Sequence, residues 1–442
     1  MTLLVISPDY ASHLYPLATL ATAWRDAGER VVVATGAATD ALVSMFGYER
    51  EHLQLGRGSN PGVIRAEEQP AGEDDSLRGF FAATRLGAVE TLAYQARARG
   101  DDLLWNAVGV ARAVHDVVER VRPDTIIVDH LAFGARLGLS SSGISHADVV
   151  LGHPSALSVG DEVYGYPDAW PRAFGPDPDA LEELRGLSER VRDDFTAQWN
   201  AALAQLSPGA ASSTDAFAET GDVLLLNYPE ELHEPRRTSQ LPRHTFLGSA
   251  VREEAHDEQV RRWLDQGDEP VVYVSLGSFL SARSDVLARI AEALRGLDVR
   301  VALASGSTPS DLLGPLPRSW LVRETLPQVT LLRRAALAVS HGGNNSVTEA
   351  LTAGVPLLLL PLSTDQFAGA AAIERCGLGE VLDPNQASAA EIRGAAELLL
   401  GLDGGAGLTG QNASLDGLSA SLRERPGPQR AWAAVTQTTS PG

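Results

Sequence analysis

The sequence has no lysine. All 36 of its basic side chains are arginines, set against 57 carboxylates for a formal net charge of −21. The missing lysine reads as a bias toward GC-rich codons and carries no mechanism. The shortage of positive charge does carry weight. A nucleic-acid partner is held through neutralised phosphates and needs a basic face, so that class is excluded. A polybasic attachment to an anionic membrane is excluded on the same ground. Cysteine is nearly absent too. Cys376 stands alone, so no intramolecular disulfide forms, and its neighbours Ile373 and Leu378 suggest a small buried residue. No apolar run approaches the roughly 18 residues of a membrane span. The chain opens directly on the strand-like MTLLVIS, without a charged leader or cleavage site. No signal peptide is read there, and the cytoplasm is the default location. What is present is ordinary for a globular enzyme. The chain has 442 residues, 44% hydrophobic and 21% charged, enough for two domains, three at most.

Short apolar runs alternate with helical spacings along the whole chain, the pattern of βα units in parallel sheets. Leu3–Ile6 is the first such run. It leads through Ser7–Pro16 into a helix marked by Leu17, Leu20 and Trp24, and Val31–Ala34 closes the unit. This turn has no G-x-G-x-x-G, so it is not a dinucleotide fingerprint. It offers His13, at the carboxyl end of a strand and just ahead of Pro16. A histidine there could cap the helix, or it could take a proton near neutral pH. Arg122–Asp129 repeats the arrangement, with Asp129 ending the apolar run Ile126–Val128. Capping the next helix and orienting a histidine are both open to that carboxylate.

Val339–Ala370 is the most informative stretch. A strand ends at Ser340, a turn His341-Gly342-Gly343-Asn344-Asn345 follows, and Val347, Ala350 and Leu351 recur at helical spacing. A helix start presents unpaired N–H groups and suits a phosphate. The glycines allow close backbone approach. Ser346 adds a hydroxyl, and Glu349, one turn in, is an acceptor suited to a ribose diol. A second strand, Pro356–Pro361, leads to Asp365 and Gln366, an acid and an amide suited to sugar hydroxyls. An ordinary βα turn around a buried histidine is the bland alternative.

HGGNNSVTE…GVP…DQ resembles the nucleotide-sugar signature of the family-one UDP/TDP-glycosyltransferases. The likeness is strong from 271 to 383 and weaker through the N-terminal half. It implies an α/β protein of the GT-B fold, two Rossmann-like domains facing a cleft. These would be an acceptor-binding domain over 1–248 and a nucleotide-sugar domain over 249–442, with the last helix crossing back. His13-Leu14-Tyr15-Pro16 matches the family's HxxP motif, whose histidine is the general base, and Asp129 would support it. His341, Gly343, Asn345 and Ser346 would meet the diphosphate, Glu349 the ribose, and Asp365 with Gln366 the sugar. Gly277-Ser278 resembles the S-x-G-S element, so Ser278 would face the phosphate or sugar. Pro327-Gln328 matches the PQ element beside the nucleobase and ribose. Two positions depart from the pattern: Thr325 stands where many relatives have tryptophan, and Gly369 where they often have asparagine.

The aromatic segment VYGYPDAWP supplies Tyr164, Tyr166 and Trp170. In the family this region shapes the acceptor pocket, and such rings suit a flat apolar aglycone. A packed surface loop is the other reading. The polar stretch 53–75 reads as a long loop over the cleft. The resemblance therefore implies inverting transfer of a sugar, from a TDP-deoxysugar, to a hydroxyl of a secondary-metabolite aglycone. A UDP-glucose-dependent detoxifying enzyme is the alternative. An epimerase of the same fold and an inactive auxiliary protein are more distant ones. No D-x-D lies in the elements read as forming the cleft, so metal independence is expected and no cofactor beyond the nucleotide sugar. The partners are the two small molecules, with no membrane insertion. The oligomeric state stays open, a homodimer included.

Overall fold

The computed structural model describes residues 1–63, 73–102, 104–402 and 409–436. Thirteen strands among them form two parallel sheets. The first contains β1 (Thr2–Ile6), β2 (Arg30–Thr35), β3 (Glu49–His52), β4 (Thr125–Asp129), β5 (Ala147–Val150), β6 (Val223–Leu226) and β7 (His244–Phe246), in the order β3-β2-β1-β4-β5-β6-β7. The second contains β8 (Val271–Ser275), β9 (Arg300–Ala304), β10 (Leu321–Arg323), β11 (Ala335–Ser340), β12 (Leu357–Leu359) and β13 (Gly379–Val381), in the order β10-β9-β8-β11-β12-β13. This is the GT-B architecture, two Rossmann-like halves.

The strand sequences explain the layering. Neighbouring side chains on a strand point to opposite faces. Leu3 and Val5 join one apolar cluster with Val31 and Val33. Leu4 and Ile6 join another with Val32 and Val128. The second sheet divides likewise, Val272 and Val274 on one side and Tyr273 with Leu357 on the other. A sheet buried on both faces needs helices on both, which the crossover connections supply.

Strand order reverses between β1 and β4 in the first sheet, and between β8 and β11 in the second. Crevices beyond the carboxyl ends at such reversals are where open parallel sheets bind ligands. The register pairs Ile6 with Val128, so Asp129 lies one residue beyond the end of β1. Ser340 pairs with Ser275, which brings the turns after β8 and β11 side by side.

The segment 247–257 joins the halves and leads into the helix Glu258–Leu264. The final helix, Gly427–Thr436, lies on the first half. Its Ala431 and Val435 are buried among Leu3, Leu17 and Trp24, and Trp432 meets Trp24 edge-on at 5.0 Å. Between β3 and β4 run two helices, Glu73–Leu86 and Ala88–Asp102, parted at Gly87, whose φ of +156° other residues rarely adopt. In the stretch expected as a loop, residues 64–72 lie outside the described residues, and Pro61, Gly62 and Val63 line the cleft. Among the described residues no helix is long and apolar enough to cross a membrane.

Candidate active site

A cavity of about 850 Å³ lies between the carboxyl ends of the two sheets. His13 enters it from the first turn of the helix Ala11–Leu20, and Asp129 from the end of β4. His13 Nδ1 stands 2.7 Å from Asp129 Oδ2. The other oxygen of Asp129 accepts the Leu131 N–H at 2.8 Å, so the carboxylate is fixed from behind. The sequence left capping and orienting open for Asp129; it holds His13 but does not cap the next helix, Phe133–Ser141, whose N-cap is Ala132 with no side-chain cap. Since the carboxylate only accepts, Nδ1 carries the proton and Nε2 keeps its lone pair. Burial disfavours the imidazolium, but the charge and hydrogen bond of Asp129, with help from the charge of Asp365, outweigh it. The His13 pKa ends above its ordinary value.

Across the cavity stand β8 and β11. The helix Asn344–Ala353 begins directly after Gly343 with no side-chain cap, so its first N–H groups are left without a capping side chain. His341 is held between two glycines. A Cβ on Gly277 would come within 2.7 Å of its Cε1, and one on Gly343 within 2.5 Å of its Nε2. Gly277 also has a φ of +73°, and Gly342 one of +85°. Burial lowers the His341 pKa to about 4, partly opposed by a hydrogen bond to the Ser275 backbone, so its ring is neutral at neutral pH. Ser278 lines the same wall.

Glu349 is buried beneath this turn, and Gln328 Nε2 donates to it. Gln328 Oε1 in turn accepts from Tyr273 Oη at 3.2 Å and Ser346 Oγ at 3.3 Å. Arg252, from the segment joining the halves, donates to Glu349 at 2.8 Å and lies 5.3 Å from the centre of the Tyr15 ring. Sequence reading missed Arg252, because a lone arginine in a connecting segment carries no motif.

Several expected ligand-facing residues are engaged elsewhere. Asn345 Nδ2 donates to the Ser12 carbonyl at 3.0 Å, and its Oδ1 accepts from Asn227 Nδ2 at 3.3 Å. Asn344, not singled out from the sequence, donates to the carbonyls of Leu151 and Asn227 at 2.7 and 2.8 Å. The signature turn therefore ties the two halves together as well as lining the cavity. Asp365 reaches across too, accepting the His153 N–H at 2.5 Å and the Thr364 hydroxyl at 2.9 Å. Gln366 is absent from the cavity wall. Its Oε1 accepts the N–H groups of Leu362 and Ser363 at 3.0 and 3.2 Å, so the amide braces its own loop. Gly369 lies against His153, 3.7 Å from where its Cβ would stand.

The aromatic segment divides. Tyr164 and Tyr166 line the cavity. Tyr164 stacks on Phe217 at 4.0 Å. Trp170 faces away and packs on Phe367 of the other half at 5.0 Å, because its apolar surface finds a closer partner at the seam than in the cavity.

With this geometry in view, the likeness to known proteins is specific. A sequence model described as UDP-glucoronosyl and UDP-glucosyl transferase matches residues 187–402. An NDP-glycosyltransferase of Bacillus licheniformis is 28% identical over 211 residues, 48% of this chain and 53% of that one. The demethyllactenocin mycarosyltransferase of Streptomyces fradiae is 29% identical over 329 residues, 72% of this chain and 64% of that one. The chain thus spans about half to two thirds of the length of these relatives. The structure of the glycosyltransferase VinC in complex with DTDP superposes with a TM-score of 0.67 over 99% of both chains, at 18% identity, a likeness of fold. The paired sheets, the HGGNN turn on β11 and these matches agree: over residues 187–402 the chain is similar to the UDP-glucoronosyl and UDP-glucosyl transferase family.

Proposed function

We propose that the chain is an inverting glycosyltransferase. It moves a sugar from a nucleoside diphosphate, TDP before UDP, to a hydroxyl of a small natural-product aglycone. The observation that carries this reading is the His13–Asp129 pair at 2.7 Å, facing a nucleotide-sugar signature across one cavity. His13 Nε2 takes the proton of the acceptor hydroxyl. The freed oxygen attacks the anomeric carbon, the bond from that carbon to the diphosphate oxygen breaks, and the diphosphate leaves with the electron pair. A single displacement inverts the centre. Asp129 stabilises the imidazolium that forms. The uncapped first turn at Asn344–Ser346 and the Ser278 hydroxyl stabilise charge on the leaving diphosphate through preorganised dipoles. Gln328 and Glu349 receive the ribose, and Asp365 the sugar once it exchanges His153 for a hydroxyl. Tyr164 and Tyr166 border the aglycone.

TDP is favoured by two solved structures of similar fold, VinC in complex with DTDP and the spinosyn rhamnosyltransferase SpnG complexed with thymidine diphosphate. A thermal-shift panel of TDP, UDP, GDP and NAD tests the donor. A ligand at 100 times its Kd stabilises by about 2.7 kcal/mol. Stabilisation by TDP above UDP supports the reading. UDP alone favours the detoxifying alternative. A response only to NAD, or to none of the four, removes the basis for it. Mass analysis of products from a TDP-sugar and a phenolic acceptor then separates transfer from epimerisation.

A further inference from the structure

We propose that the acceptor carries an acidic group, a carboxylate or similarly ionised oxygen, which pairs with Arg99 at the aglycone end of the cavity. The inference deepens the glycosyl-transfer reading and rests on it. Three arginines line the cavity among the described residues: Arg99, Arg252 and Arg323. Two of them are neutralised. Arg252 meets Glu349 at 2.8 Å and Arg323 meets Asp257 at 2.7 Å. Arg99, on the helix Ala88–Asp102, has no carboxylate and no hydrogen-bond partner among the described residues. Its contact is the face of Tyr164, whose ring centre lies 5.0 Å from the guanidinium carbon.

The position is built and specific. Gly165 turns with a φ of +84°, and a Cβ there would stand 2.6 Å from Arg99 Nη1. A side chain at 165 would displace the guanidinium, so the glycine keeps it over the tyrosine. Burial raises the pKa of the Tyr164 hydroxyl, and the neighbouring charge of Arg99 opposes that rise. A half-buried guanidinium stacked on a ring keeps its N–H groups free in the plane, the geometry that receives a carboxylate through two parallel hydrogen bonds. Stacking on Tyr164 compensates part of its desolvation. The carboxylates near His13 would repel an acid placed against them, so the acidic group and the reacting hydroxyl must sit at different ends of the acceptor.

The test compares 6-hydroxy-2-naphthoate with its methyl ester, on the full chain and on Arg99→Gln. Binding is followed by calorimetry, which needs no turnover, and transfer by sugar release from TDP-glucose. The expected result is that the acid binds on the order of 10-fold tighter than the ester. The difference should vanish in Arg99→Gln while TDP affinity stays the same. Equal binding of acid and ester, a preference that survives in Arg99→Gln, or no binding of the acid at millimolar concentration would overturn the proposal. A preference that depends on Arg99 in a protein that binds no nucleotide would leave the anion site standing and sink the glycosyl-transfer reading.

Discussion

Glu349 of the signature helix and Arg252 of the connecting segment are joined by an ion pair at 2.8 Å. Arg252 also lies on Tyr15, two residues along the helix that carries His13. One guanidinium thus touches the carboxylate assigned to the ribose and the helix assigned to the base. Removing one partner of a buried pair costs more than removing both, because an uncompensated charge stays behind. Arg252→Gln is expected to lower Tm by several degrees and to weaken TDP binding. The double variant with Glu349→Gln should lose about 1–3 kcal/mol less than the two single losses added together. Thermal unfolding of all four proteins measures that coupling. Strict additivity would mean the pair contributes nothing.

His13→Ala should lower turnover on the order of 100-fold or more if general-base catalysis is its role. The fold should persist, since the ring is partly exposed. Single-turnover transfer to an alcohol acceptor is the measurement. Unchanged rates would remove His13 from the mechanism.

The pH dependence follows from the direction of the His13 shift. Burial lowers its pKa, and the charges of Asp129 and Asp365 raise it further than burial lowers it. The base must be neutral, so kcat/KM is lost as pH falls through the raised His13 pKa. Asp129→Asn removes the larger of the two charges that raise it. The acid limb should then move to lower pH even as the maximum rate drops. A limb that stays in place in Asp129→Asn would assign it to another group.

Gly343→Ala and Gly277→Ala place a methyl against the His341 ring, 2.5 and 2.7 Å from its nearest atoms. Both should weaken TDP binding by calorimetry while leaving the apolar clusters intact, with Gly277→Ala also strained by its positive φ. Combining Gly343→Ala with His341→Ala relieves the clash, so the pair should cost less than the sum of the two. Full additivity would show that the ring does not need the glycine.

Asn344→Ala removes two hydrogen bonds that cross between the halves. The Leu151 and Asn227 carbonyls lose a donor, at about 1–3 kcal/mol for each group left buried and unsatisfied. Small-angle scattering should report a larger radius of gyration than in the parent protein. An identical profile with an unchanged Tm would mean these bonds do not hold the halves together.

Much of this was legible in the chain. Runs such as Leu3–Ile6, Val31–Ala34 and Ile126–Val128 are apolar and short, as buried parallel strands are, and they lie in strands where they were read. β3 is Glu-Arg-Glu-His, with three of its four residues exposed. It is an edge strand held by main-chain pairing to β2, so it has no hydrophobic signature. β10 and β13 have three residues each, below any period. Gln366 shows the limit of a motif: the residue type was in place, yet its amide is spent on the N–H groups of its own loop.

The sequence by itself determined which chemistry the chain contains. In one half a histidine follows the first β strand and an aspartate ends another. A glycine-bearing turn opens a helix in the other. These depend on local spacing, which the covalent chain fixes. Only the tertiary structure decided which groups meet. Asp129 lies 116 positions from His13 and Arg252 lies 97 from Glu349, and in each case packing sets the distance. It also decided that Asn345 and Asp365 reach across to the opposite half and that Trp170 packs at the seam. Buried polar and aromatic groups take whichever partner the closed halves bring nearest, and no local pattern records that choice.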